Sequence, residues 1–270
     1  MHIAFMTFAT PTWTIPELLA GAIRYGYDGI EPRTVAGHKH GIELELTKPQ
    51  RAEVRAAFAD CGIKMSAIAT SISYATPDQA RIDERVEETK RYLQFAADLG
   101  SPNIRVFGGQ PPEEMDMEAA VEAVAEALAR CAQTAADCSV NIALETHDAF
   151  SMGKYAGAVI HKVNHPRVGI NWDIAHSVRH GESLDETYAI IKGHVVHSHI
   201  HDLDWPEDNI HDITMVPMGT GKVDHRGAIK LMANEAADIA LSLEWEREDP
   251  SVLPHEAAML REYMAEVCPG

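Results

Sequence analysis

The chain has 270 residues, is 46 % hydrophobic, and carries 23 basic against 41 acidic residues, a net charge of −18. That length buries a large core, and barrel folds commonly reach it as one domain. So much negative charge, with no basic run, excludes nucleic acid and an anionic membrane surface as partners, and no segment approaches the ~20 apolar residues of a membrane span.

Short apolar runs alternate with amphipathic stretches along the whole sequence. The first, "HIAFMTF" (2–8), has no basic residues ahead of it and reads as a buried strand. A helix follows at 14–26, with Thr14 as N-cap and Gly26 as stop. Next come a strand at 28–33, a helix at 47–62 and the strand "KMSAIATSI" (64–72). The helix at 83–100, the strand "NIRVFGG" (103–109) and the helix at 117–138 have clear periodicity. Strands at 141–147, 168–176, 194–202 and 240–246 complete the set, with helices at 153–163, 183–192, 225–237 and 251–266. The longest irregular stretch, 202–224, reads as a loop over an active site. Cys61, Cys131, Cys138 and Cys268 form no CxxC pair and no zinc spacing. Free thiols in a reducing cytoplasm are expected.

Eight strand–helix units predict an α/β chain, a (β/α)8 TIM barrel in a single domain over residues 1–270. An open doubly wound sheet needs a glycine-rich phosphate loop after an early strand, and "FATPTW" carries no glycine.

In such a barrel the chemistry sits at the carboxyl ends of the strands. There this sequence places Glu31 and Arg33, Arg105, Glu145 and His147, Asp173 with His176 beyond it, three histidines in "HSHIHD", and Glu244 with Glu246. Alternation along a strand puts His197, His199 and His201 on one face. Several carboxylates converging with only Arg33 and Arg105 to balance them are costly unless a cation joins them. Three carboxylates and an imidazole make a mostly oxygen site suited to Mn2+, Mg2+ or Co2+, with Zn2+ also accommodated.

The ordered motifs "ALETH", "NWDIAH", "HSHIHD", "MGTGKVD" and "LSLEWE" resemble the xylose-isomerase-like barrel superfamily. Its members include sugar isomerases, ketose 3-epimerases, inosose and dehydroshikimate dehydratases, and apurinic endonucleases. The resemblance implies that Glu145, Asp173, His199 and Glu244 are metal ligands. It implies that His176 and Arg105 contact a small-molecule substrate, that "MGTGKVD" lines the pocket, and that copies of the chain form a homo-oligomer. In the epimerase branch two metal-binding glutamates also act as acid and base, and Glu145 and Glu244 hold those places. The function expected is a divalent-metal isomerase or epimerase acting on a sugar, sugar phosphate or cyclitol by proton abstraction beside a carbonyl. The alternative is a dehydratase of a keto-cyclitol or dehydroshikimate-like substrate.

Other branches fit less well. An apurinic endonuclease needs histidines on strands three and four, where this chain has "SAIATSI" and Arg105. A non-catalytic sugar-binding barrel has no need of four intact ligands. The ketose 3-epimerase pattern carries a glutamate and an arginine where this chain has Ser151 and Trp205, which argues against a free ketohexose.

Several residues keep two readings. Glu145 binds metal or pairs structurally with Arg105. Arg33 neutralises Glu31 or binds a substrate acid. His147 contacts substrate or orients a ligand. His201 contacts substrate or is a solvated rim residue, and His197 is a hydrogen-bonded core residue. His211 and Asp212 close over substrate or are exposed. Trp13 and Trp172 wall the pocket or pack in the core. His38, His40, His161, His165, His180 and His225 are expected on the solvated surface.

Overall fold

The computed structural model describes residues 1–235 and 238–267; Cys268 and the last residues of the predicted helix 225–237 lie outside them. Strands β1 (His2–Met6), β2 (Gly29–Glu31), β3 (Lys64–Met65), β4 (Ile68–Ser73), β5 (Asn103–Phe107), β6 (Asn141–Glu145), β7 (Val168–Asp173) and β8 (Val195–Ile200) run parallel with β11 (Ala240–Leu243). Their order is β3-β2-β1-β11-β8-β7-β6-β5-β4. The predicted strand 64–72 is broken in two, so β3 pairs with β2 while β4 pairs with β5. A bridge between Arg33 and Ala69 joins those ends, so the nine strands close a (β/α)8 barrel as the sequence predicts.

The helices outside the barrel are α1 (Ile15–Tyr25), α2 (Lys48–Asp60), α3 (Gln79–Leu99), α4 (Met117–Cys138), α5 (Gly153–Val163), α6 (Ile174–Arg179), α7 (Leu184–Ile191), α8 (His225–Met232) and α9 (Leu253–Val267). None is long and apolar enough to cross a membrane. Thr14 and Glu17 form the capping box of α1, and Gly26 ends it in the left-handed region at φ 79°. In α4 the buried residues Ala120, Val124, Ala127, Leu128, Cys131 and Ala135 recur at helical spacing.

Four expectations are corrected or, for Trp172, decided between its two readings. The strand predicted over 168–176 stops at Asp173, whose Oδ1 accepts the His176 backbone N–H at 3.2 Å and starts α6. The stretch 202–224 is not wholly irregular: β9 (Asp202–Asp204) and β10 (Thr214–Val216) form an antiparallel ribbon. Trp172 points away from the barrel and stacks on Tyr188 of α7, centroids 5.9 Å apart at 23°. Losing such a ring costs about 3–5 kcal/mol, so it anchors a helix and walls no pocket. Trp13 lies over Gly21 of α1, where a Cβ would meet its ring at 2.3 Å.

The fourth correction concerns histidines expected in solvent. His38, His40 and His225 are buried, whereas His161 is exposed. His40 Nδ1 accepts the Ile42 backbone N–H at 2.9 Å. Burial, then the neighbouring His38, lower its pKa from 6.5 to about 4. The folded chain therefore favours neutral His40, and protonation favours unfolding. This contribution is whole above pH 6.5 and is lost as pH falls towards 4, on the order of 3 kcal/mol in all. Denaturant unfolding at pH 7.5 and 4.5 tests it: His40→Gln starts less stable than wild type but loses less stability over that interval.

Candidate active site

Register decides which side chains meet. Asp173 on β7 lies level with His199 on β8, and His199 with Ser242 on β11. Glu145 ends β6 level with Asn171, which is level with His197, one layer deeper. Glu31 ends β2, and Glu244 follows β11. Glu145, Asp173, His199 and Glu244 are all buried, and each offers a ligand atom within 4.8 Å of the others.

His199 is the centre of the group. Its Nδ1 lies 2.5 Å from Glu145 Oε1 and 3.0 Å from Glu244 Oε2. Its Nε2 faces Glu31 Oε1 at 3.1 Å. Burial opposes charge on this ring, yet Glu244, Glu145 and Glu31 raise its pKa well above the ordinary value. A proton on Nδ1 thus holds the carboxylates together, and it occupies the place a cation would take. With Glu31 accepting from Nε2–H, the Nδ1 lone pair is the one left to point at a metal. Glu145 Oε2, Asp173 Oδ2 and Glu244 Oε2 are buried and make no well-aligned hydrogen bond, although Arg105 Nη1 and His199 Nδ1 lie near the first and last. That set of unmatched oxygens beside one imidazole fits a divalent ion.

Of the two readings of Arg33, pairing with Glu31 is not what the structure has. Glu31 Oε2 instead takes His197 Nε2–H at 2.7 Å, so His197 is the hydrogen-bonded core residue expected. Arg33 turns away, donating to Thr34 O, to Ser71 Oγ and, at 3.3 Å, to Ala69 O. Beyond Glu31 the chain still follows the sheet, with Arg33 bridged to Ala69.

Arg105 Nη1 lies 3.3 Å from Glu145 Oε2, with its guanidinium 4.0 Å from the Phe107 ring centroid. The pairing is partial: Arg105 Nε and Arg33 Nε are buried without an acceptor. His201 is buried, which corrects its reading as a solvated rim residue. Its Nδ1–H donates to Glu244 O at 3.3 Å, and its Nε2 lies 3.4 Å from Asp173 Oδ1. Burial opposes protonation, but Asp173 lifts its pKa to about 9. Burial would raise the Asp173 carboxyl, yet His176 and His201 hold it well below the usual carboxylate range.

Asp173, His176 and His201 form a further group of potential ligands. Arg179, which sequence reasoning missed, decides against a cation there. Its Nη2 donates to His176 Nδ1 at 2.8 Å, so the proton of neutral His176 sits on Nε2, the nitrogen 3.6 Å from Asp173 Oδ2. His176 is a donor at this site, and burial keeps it neutral, with its pKa lowered to about 3. His147 packs against the His176 ring, centroids 4.3 Å apart, with Nδ1 3.0 Å from Asp148 Oδ1. His211, Asp212 and Glu246 are exposed. Over the mouth, Asp202 Oδ2 accepts the N–H groups of Gly219 and Gly221 at 2.9 and 2.8 Å and shapes the "MGTGKVD" turn. A Cβ on Gly221 would lie 2.3 Å from Asp202 Oδ1.

If Glu31 orients His199, Glu31→Gln weakens Mn2+ binding by about 10- to 100-fold while leaving the four ligand side chains in place. Titration calorimetry of metal-stripped wild type and variant checks this; equal affinity refutes it.

The fold is shared with known proteins. An IolI protein with a bound zinc atom superposes with a TM-score of 0.80 at 19 % identity, covering 99 % of this chain and 98 % of that one. The probable 3-DHS dehydratase AsbF from Bacillus anthracis gives 0.79 at 18 %, covering 97 % and 99 %. The 3-keto-D-glucoside 4-epimerase YcjR from E. coli gives 0.77 at 18 %, covering 97 % and 99 %. No curated protein sequence matches the chain. The profile of the family described as xylose isomerase-like TIM barrel matches residues 19–263. With nine-tenths of its length matched and its strands closed in the barrel described above, the chain belongs to the xylose isomerase-like TIM barrel family.

Proposed function

We propose that this chain is a divalent-metal-dependent isomerase or epimerase that moves a proton on carbon next to a carbonyl in a sugar, sugar phosphate or cyclitol. The observation that carries the reading is the convergence of Glu145, Asp173, His199 and Glu244 on one small, buried volume. These four would hold the ion, Mn2+, Mg2+ or Co2+, with Zn2+ as the ion bound by the IolI neighbour. A bound ion supplies a Lewis acid that acidifies the C–H beside a carbonyl.

The chain's own residues do the rest. Glu145 and Glu244 reach His199 from β6 and from the end of β11, on either side of β8. That placement suits one carboxylate to take the proton and the other to return it. Burial would raise the Glu244 carboxyl, but His199 holds it down at about 2. His176 Nε2–H supplies a donor to a substrate oxygen, and His147, His201, Arg105 and Arg33 surround the same mouth. The YcjR neighbour, an epimerase of a keto sugar derivative, supports this class of substrate. The free thiols Cys61, Cys131 and Cys138 suit a reducing compartment such as the cytoplasm.

One observation favours the dehydratase reading. Arg33 Nε and Arg105 Nε are buried donors without acceptors. An acid-bearing substrate would satisfy them, and the AsbF neighbour is a probable 3-DHS dehydratase. A free ketohexose fits less well: Ser151 is buried and donates to Asp148 O at 2.6 Å.

The test is metal analysis followed by incubation in D2O with Mn2+ and a panel of keto-inositols, 3-keto-glucosides, sugar phosphates and 3-dehydroshikimate. Deuterium is expected at one carbon of one compound, abolished by chelator and restored by Mn2+. An ultraviolet-absorbing enone without exchange-only product marks the dehydratase instead. Glu145→Gln and Glu244→Gln each lower the rate by at least about 100-fold. A protein that binds no divalent ion, or whose activity survives chelation, refutes both readings.

A further inference from the structure

Thr7, His38 and His40 lie outside the residues assigned above, but on the same face of the barrel. Thr7 follows the last residue of β1, and the two histidines come from the loop after β2. All three are buried. Thr7 Oγ1 has three neighbours: the Arg33 backbone N–H at 2.9 Å, His40 Nε2 at 3.3 Å and His38 Nδ1 at 3.0 Å.

The direction of every hydrogen bond in this cluster follows from two main-chain N–H groups, those of Ile42 and Arg33. The Ile42 N–H can only donate, so His40 Nδ1 accepts, and the proton of neutral His40 sits on Nε2. His40 Nε2–H therefore donates to Thr7 Oγ1. That oxygen already accepts from Arg33 N–H, so both of its lone pairs are used. Its own O–H is left for His38 Nδ1. With Nδ1 accepting, neutral His38 carries its proton on Nε2. No described protein group accepts from that Nε2–H. Burial first and the nearby Arg33 second lower the pKa of His38, which agrees with a neutral ring. His38 sits edge-on to Phe8, centroids 5.9 Å apart, and the Arg33 guanidinium lies 5.7 Å from the same Phe8 ring. Arg33 Nε is itself a buried donor without an acceptor.

We propose that the relay from Ile42 through His40 and Thr7 locks His38 into one tautomer, so that its Nε2–H is a fixed donor at the barrel mouth for an acceptor oxygen of the substrate. The substrate role rests on the reading that the mouth binds a sugar-like molecule. His38 is then a specificity residue: it rewards a carbonyl, hydroxyl or acid oxygen beside Arg33 and rejects an analogue lacking one. A histidine free to exchange tautomers would accept either polarity.

The lock is tested on the full chain labelled with 15N in its histidines. The His38 signals are assigned by their loss in His38→Gln. At pH 7.5, Nδ1 of His38 is expected at the shift of an unprotonated ring nitrogen and Nε2 at that of a protonated one. Thr7→Val removes the only O–H that Nδ1 accepts; His38 then averages between tautomers while His40, still held by Ile42, does not. The opposite tautomer in wild type, or an averaged signal there, overturns the lock without need of any variant. The substrate role is read on whichever panel compound is turned over. His38→Phe keeps an aromatic ring but no donor and raises KM roughly 5- to 10-fold, more than it lowers kcat. His38→Gln, whose amide N–H reaches close to the place of Nε2, recovers most of that loss. An unchanged KM in His38→Phe overturns the substrate contact. A panel with no turnover removes the substrate role together with the proposed function, and the resonances still decide the lock.

Discussion

The structure turns on one imidazole held between carboxylates. His199 has Glu31 on its Nε2 side and Glu145 with Glu244 on its Nδ1 side, all out of contact with solvent. Burying that much negative charge is unfavourable unless each group is paired and hydrogen-bonded. A single imidazolium satisfies part of the demand, because its two N–H groups face opposite directions. It cannot satisfy all of it, and oxygens of Glu145, Asp173 and Glu244 remain without a well-aligned hydrogen bond. The remaining mismatch is what makes the group read as a cation site and not as a structural ion pair.

Everything nearby serves to keep those side chains from moving apart. The parallel register sets Asp173 level with His199, and barrel closure through the Arg33–Ala69 bridge fixes β2, and so Glu31, against β4. Asp173 is held twice more: its backbone N–H donates to Thr146 Oγ1 at 2.8 Å, and its carboxylate caps α6. That cap has a cost to ligation, since one of its oxygens is shared with a backbone N–H. The other oxygen is unpartnered and free to face the centre. Charged groups placed on rigid strand ends need little reorganisation when chemistry occurs, which is where electrostatic catalysis gains most.

Much of this was legible in the sequence, because the signals were local and periodic. Apolar runs of strand length, N-caps such as Thr14 and the alternation of His197, His199 and His201 give the barrel and the inward face directly. Strand ends in a barrel face one mouth, which made a convergence of polar residues readable; the set Glu145, Asp173, His199 and Glu244 came from the resemblance of the ordered motifs. What escaped were features fixed by contacts between distant segments. For Glu31 the sequence offered Arg33, two residues away, as one of two readings, whereas its partners are 166 and 168 residues distant. His38 and His40 lie in a polar stretch that looks solvated, and only the fold shows that Thr7 buries them. Trp172 sits beside a ligand in sequence, but strand alternation sends it to the opposite side, against Tyr188. The ribbon of β9 and β10 escaped because three-residue strands carry no measurable period.

The histidines around the mouth are not interchangeable bases; each has its polarity written by a neighbour that cannot reverse. An arginine can only donate, so Arg179 makes His176 a donor through Nε2. A carbonyl and a carboxylate can only accept, so Glu244 O at Nδ1 and Asp173 at Nε2 make His201 a donor through both nitrogens. The Ile42 N–H can only donate, and through two intermediaries it makes His38 a donor as well. Imidazole by itself offers one donor and one acceptor in either order. Tying one nitrogen of each ring to a group of single polarity converts that ambiguity into a fixed pattern. A sugar or cyclitol differs from its isomers mainly in where its hydroxyl and carbonyl oxygens point. A rigid pattern of donors and acceptors discriminates among such molecules, because each mismatched oxygen leaves a buried polar group unpaired. On the function proposed above, selectivity in this barrel resides in the groups behind the histidines as much as in the histidines themselves.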